Sequence, residues 1–132
     1  MSKSKKKMGA LVAALALTTG GLVAVGMQSA SAAGCYDSAV SFAHVPGEHR
    51  SPSGGGKFTA TSACNDINLR TGSSIGVKVC FYPRSGKNYC QTEWTSARAG
   101  QWTVVATDVR PGTKFELDWY HSGIGFGAHV AS

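Results

Sequence analysis

The sequence predicts an all-β domain: a small disulfide-stabilised β-sandwich or barrel of about seven or eight short antiparallel strands. Three observations carry that expectation. Short runs rich in β-branched and aromatic residues recur, separated by turn residues at intervals of roughly 8–12 positions. No ten-residue window shows a helical period. Four cysteines all follow a leader-like start, which suits a small domain that needs covalent staples.

The leader comes first in the chain of 132 residues. Ser-Lys-Ser-Lys-Lys-Lys at 2–7 is a basic opening, residues 8–27 are small and apolar, and Ala30-Ser31-Ala32 supplies a small-x-small cleavage site. This predicts a signal peptide over 1–32 and a single secreted β domain over 33–132. The long Ala/Gly-rich stretch resembles the export signals of high-GC Gram-positive bacteria, which implies a bacterial, extracellular protein. Gly20-Gly21 interrupts the apolar run and argues against an uncleaved membrane span. Ala33-Gly34-Cys35 resembles the end of a bacterial lipobox. Ala32 stands where such motifs carry Leu, however, and lipidation of Cys35 would orphan one cysteine.

Removing the leader changes the charge argument. The full chain carries 13 Lys and Arg against seven acids, a formal +6. Lys3, Lys5, Lys6 and Lys7 lie in the leader, so nine cations face seven acids in the rest, which is +2. A nucleic-acid partner and an anionic membrane surface for the mature form lose their main support.

Four cysteines allow three pairings. Residues 76–82 and 88–94 read as strands around the turn Pro83-Arg84-Ser85-Gly86-Lys87. A hairpin centred on Ser85 sets Cys80 opposite Cys90, within bridging distance. Cys35 and Cys64 are then left to tie down the N-terminus. There is no Cys-x-x-Cys and the histidines are scattered, so no metal site or cofactor is expected.

The expected strands are Ala39–Val45, Lys57–Thr61, Asp66–Arg70, Val77–Tyr82, Asn88–Trp94, Gln101–Thr107, Thr113–Tyr120 and Gly125–Val130. Alternation is cleanest in 66–70 and 114–119, which places Ile67, Leu69, Phe115, Leu117 and Trp119 on the buried face. Residues 95–100 make one helical turn at most. Arg110-Pro111-Gly112-Thr113 is a turn expected to join two strands as a hairpin. The Pro/Gly/Ser-rich stretch 46–56 is expected to be an irregular, mobile loop inside the Cys35–Cys64 ring.

Chemistry is sparse. No serine sits in a nucleophile elbow. Glu93, Asp108, Glu116 and Asp118 are the carboxylates available for a glycosidase-like pair. Glu116 and Asp118 alternate with the inward Phe115, Leu117 and Trp119, however, and read as a solvated sheet face. His121 and His129 flank Ser-Gly-Ile-Gly-Phe-Gly without the strand–helix context of a phosphate cradle, and read as surface or edge histidines. With Cys80 and Cys90 outward, Lys78, Tyr82, Thr92 and Trp94 share the outer face. Gln91 and Glu93 fit poorly on the inner one, so a shifted register is one of two ways to accommodate them.

Tyr82, Trp94 and Tyr120 are the aromatics least required by the core and the expected ligand-binding residues. The chain resembles, at the level of architecture, small secreted two-disulfide β proteins that include amylase inhibitors, protease inhibitors and chromophore-carrying apoproteins. The expected function is therefore a monomeric, non-enzymatic binding protein, an inhibitor-like or interaction module acting on an extracellular protein. A carbohydrate or cell-wall binder using the same aromatics is the alternative, and a secreted toxin or small hydrolase a distant third.

Overall fold

Alternating apolar positions need a second layer to cover them, and here two sheets supply it for each other. In a computed structural model, which describes residues 34–132, the chain forms ten short strands. The expected leader over 1–32 lies outside the described residues. The strands are β1 (Val40–His44), β2 (Arg50–Ser51), β3 (Phe58–Thr59), β4 (Ile67–Thr71), β5 (Ile75–Tyr82), β6 (Tyr89–Cys90), β7 (Thr95–Ala97), β8 (Trp102–Ala106), β9 (Lys114–Trp119) and β10 (Phe126–Ala131). One antiparallel sheet has the order β1-β10-β4-β8. In the other, β9 and β5 form the centre, β2 and β3 pair in turn with β9, and β6 and β7 pair in turn with β5. Both outer rows of this six-stranded sheet are therefore broken strands.

The two sheets pack as a sandwich. Ile67, Leu69, Val105 and Val130 from the four-stranded sheet meet Val77, Val79, Phe115, Leu117 and Trp119 from the six-stranded one in a single core cluster. All five residues expected on the buried face are buried. The back of the four-stranded sheet carries a second cluster. There a helical turn at 34–37 brings Cys35 against Cys64 and Ala131, and Tyr36 stacks on Trp102 with ring centroids 4.5 Å apart. The disulfides are Cys35–Cys64 and Cys80–Cys90, which place the domain in an oxidising environment.

Three expectations need correction. The stretch 46–56 is not wholly irregular: β2 pairs with β9, setting Arg50 opposite Asp118 and Ser51 opposite Leu117. A two-residue strand has no periodicity to read, and the free edge of β9 recruits it. Residues 95–97 form β7, not a helical turn, because the outer row of β5 remains open beyond Cys90. Arg110–Thr113 does turn, with Thr113 N–H donating to the Arg110 carbonyl at 3.2 Å. It joins β8 and β9, however, which lie in different sheets, so it is a crossover and not a hairpin.

Gln91 resolves the difficulty over the inner face. Cys80 faces Cys90, but Val77 faces Thr95 where an unbroken register would place Glu93. The two surplus residues, Thr92 and Glu93, are exposed outside any strand. Gln91 accepts from Val79 N–H through Oε1 and donates to the Val105 carbonyl through Nε2, both at 2.9 Å. Its half-buried amide thereby bridges the two sheets with its polar atoms satisfied.

Candidate functional site

The outer face of the six-stranded sheet holds all three aromatics expected to bind a ligand. On β5 the outward residues are Gly76, Lys78, Cys80 and Tyr82, which alternate with the buried Ile75, Val77, Val79 and Phe81. On β9 the outward residues are Lys114, Glu116 and Asp118. Cross-strand pairing sets Lys78 beside Asp118, Cys80 beside Glu116 and Tyr82 beside Lys114.

At one end of this face Tyr82 belongs to a closed polar cluster. Its hydroxyl donates to Glu116 Oε1 and accepts from Arg50 Nη1 at 3.1 Å. Arg50 Nη1 lies 3.4 Å and Lys57 Nζ 3.9 Å from the same carboxylate oxygen. The Lys57 ammonium also sits 4.4 Å from the centroid of the Tyr82 ring, a cation–π contact. Arg50 Nη2 reaches Cys90 Sγ of the hairpin disulfide at 3.7 Å. Glu116 is only 6% exposed, so the expectation that it belongs to a solvated face is corrected. It does point outward, but the β2–β3 segment lays Arg50 and Lys57 over it.

The hydrogen bond to Glu116 raises the Tyr82 pKa above its ordinary value, helped by burial and by the negative charge of Glu116 and opposed by Arg50. The phenol is thus held as a donor, the opposite of what a tyrosine nucleophile requires.

At the other end Trp94 and Tyr120 are in contact. Their ring centroids lie 5.2 Å apart at 83°, and they are 40% and 57% exposed. Gly76 makes the contact possible: a Cβ there would come within 3.2 Å of Tyr120 Cβ and 3.9 Å of Trp94 Cβ. The strand-interior glycine is a close-approach position. Lys78 Nζ lies 4.5 Å from the Trp94 centroid, and the His121 ring meets Tyr120 edge-on at 4.7 Å. The structure thus brings Trp94 and Tyr120 together and engages Tyr82 elsewhere on the same face.

The histidines divide by role. His129 is exposed on β10 with Nδ1 3.0 Å from Ser41 Oγ. His44, which no local pattern singled out, is buried with Nδ1 2.6 Å from the Ile124 carbonyl oxygen and Nε2 2.7 Å from that of Glu48. Among the described residues no three His, Cys, Asp or Glu side chains group as metal ligands.

No family model, curated protein or solved structure matches the chain. The functional reading therefore rests on the geometry of this face.

Proposed function

We propose that the chain is a secreted bacterial protein without enzymatic activity, an inhibitor-like interaction module that holds an extracellular protein on the Trp94–Tyr120 end of its six-stranded sheet. The observation that carries this reading is the exposed, mutually braced Trp94–Tyr120 pair over Gly76. Large aromatic rings with little freedom left to lose are what protein hot spots are made of. Lys78 and His121 at its margin give the patch a polar rim.

The pair suits a polypeptide better than a sugar chain. The rings stand at 83° and Lys78 occupies the neighbourhood of the indole. The two rings therefore present no shared flat platform on which successive sugar rings could stack. Support for a non-catalytic role comes from the Glu116 cluster, whose carboxylate is committed to Arg50, Lys57 and Tyr82.

The test immobilises wild-type protein and Trp94→Ala against the proteins of the producer's culture medium, with insoluble polysaccharide and peptidoglycan in parallel. Loss of an aromatic anchor should weaken binding by about thirtyfold, equivalent to ~2 kcal/mol, with circular dichroism unchanged. Selective retention on a polysaccharide, lost in Trp94→Ala, would replace the protein ligand by a carbohydrate. Turnover of a peptide or glycan that Glu116→Gln abolishes would overturn the binding reading.

A further inference from the structure

A concave surface lies at the opposite end of β5 from Trp94, where the β5–β6 hairpin faces the β8–β9 crossover. It is a groove of about 530 Å³. That is within the ordinary range for a small-molecule site. Its apolar lining comes from Phe81 and Tyr89 of the six-stranded sheet on one side, and from Ala106 of β8 and Val109 of the crossover on the other. Phe81 is buried, while Tyr89 is 58% exposed and packs against it with ring centroids 5.2 Å apart. Gln91 also lines the groove, but its amide is already bonded to Val79 and Val105. Its orientation is therefore fixed, with one donor and one acceptor position already committed to the backbone.

The crossover wall is built in advance. Asp108 has φ 54°, the one non-glycine residue in the left-handed region among the described residues. Two long-range bonds hold it there: Asp108 N–H to Asp66 Oδ1 at 3.1 Å and Val109 N–H to the Asn65 carbonyl at 2.8 Å. A locally unfavourable conformation pinned by distant partners is a feature of ligand-facing loops.

The polar end is cationic. A smaller hollow of about 230 Å³ shares Pro83, Ser85, Arg110 and Thr113 with the groove and adds Arg84. No acidic residue lines this hollow. The Arg84 guanidinium lies over the crossover turn, with Nη2 3.7 Å from where a Cβ of Gly112 would stand. Gly112 itself has φ 88°. Neither Arg84 nor Arg110 makes an ion pair among the described residues, whose salt bridges involve only Arg50, Lys57 and Glu116. Asp108 lines the larger part of the groove, so an anionic group is directed away from it and toward the two arginines.

We propose that this groove binds a small amphipathic anion, with a flat apolar body against Phe81, Tyr89 and Val109 and a carboxylate or sulfonate between Arg84 and Arg110. The site is separate from the Trp94–Tyr120 patch and does not rest on its assignment.

The probes are 2-naphthoate and its uncharged counterpart 2-naphthylmethanol, titrated into the purified ¹⁵N-labelled protein. Naphthoate should saturate with a dissociation constant of about 1 mM or tighter, and move amide signals of Tyr89 and residues 106–110. The alcohol should bind at least about fivefold more weakly, and the Arg84→Gln/Arg110→Gln double variant should lose about tenfold for naphthoate, because a charge-assisted contact is missing in each case. Tyr89→Ala, which removes an exposed ring and leaves Phe81 in place, should also weaken the acid. Equal affinity for acid and alcohol would overturn the proposal. So would an unchanged affinity in the double variant, or signals that move at Trp94 and Tyr120 and not at the groove.

Discussion

The indole Nε1 of Trp119 donates to the hydroxyl of Ser51 at 2.9 Å, with both residues buried and 68 positions apart. This bond sews β2 to the core behind β9, and so holds Arg50 where it can reach Glu116. Ser51→Ala would leave a buried N–H without a partner, at a cost of about 1–3 kcal/mol. For a domain of this size, each kcal/mol lowers Tm by roughly 4–8 °C. Thermal unfolding followed by circular dichroism checks this.

The Tyr82–Glu116 bond makes stability depend on alkaline pH. The unfolded chain releases the phenolic proton near pH 10, whereas the fold holds it longer. The contribution is therefore complete below about pH 10 and is lost as pH rises through the raised value. Tyr82→Phe should cost about 1–2 kcal/mol at neutral pH and flatten this alkaline decline relative to wild type. Urea unfolding of both proteins between neutral pH and about pH 11 measures the difference.

Replacing both Cys35 and Cys64 by Ser should cost about 2–5 kcal/mol. The loss should be felt first around the Tyr36–Trp102 stack and at Asn68, whose Nδ2 lies 3.5 Å from Cys35 Sγ. Amide exchange should then accelerate in the N-terminal turn and on the back of β4 before it does so in β5 and β9. Uniform acceleration would mean that the bridge stabilises the whole sandwich cooperatively.

Gln91→Leu keeps the bulk and removes both inter-sheet hydrogen bonds. Val79 N–H and the Val105 carbonyl then lose their side-chain partner, and a cost of about 2–4 kcal/mol follows. The midpoint of urea unfolding should fall with the slope unchanged, since the surface exposed on unfolding is nearly the same.

Inward residues were legible from sequence wherever alternation ran for five or more positions. Ile67 and Leu69 on β4, and Phe115, Leu117 and Trp119 on β9, all follow it. The hairpin disulfide was legible because the Pro83–Lys87 turn sets the register locally. What escaped was non-local. Arg50 covers Glu116 from 66 residues away, and no local pattern in 46–56 announces it. Of the candidate site, Trp94 and Tyr120 could be named from composition. Their contact depends on Gly76, whose position inside a strand was the available signal.

The two surplus residues between Cys90 and Thr95 impose a parity rule on how this chain can vary in length. Removing Thr92 and Glu93 together leaves Trp94 and Ser96 facing outward and Ala97 facing the core, as they do now. Deleting either one alone exchanges the two faces and turns Ala97 to solvent and the indole toward the interior. Descendants or engineered versions of the fold should therefore lengthen or shorten here by even steps, which makes this break a natural place to graft a short paired insert beside the aromatic patch.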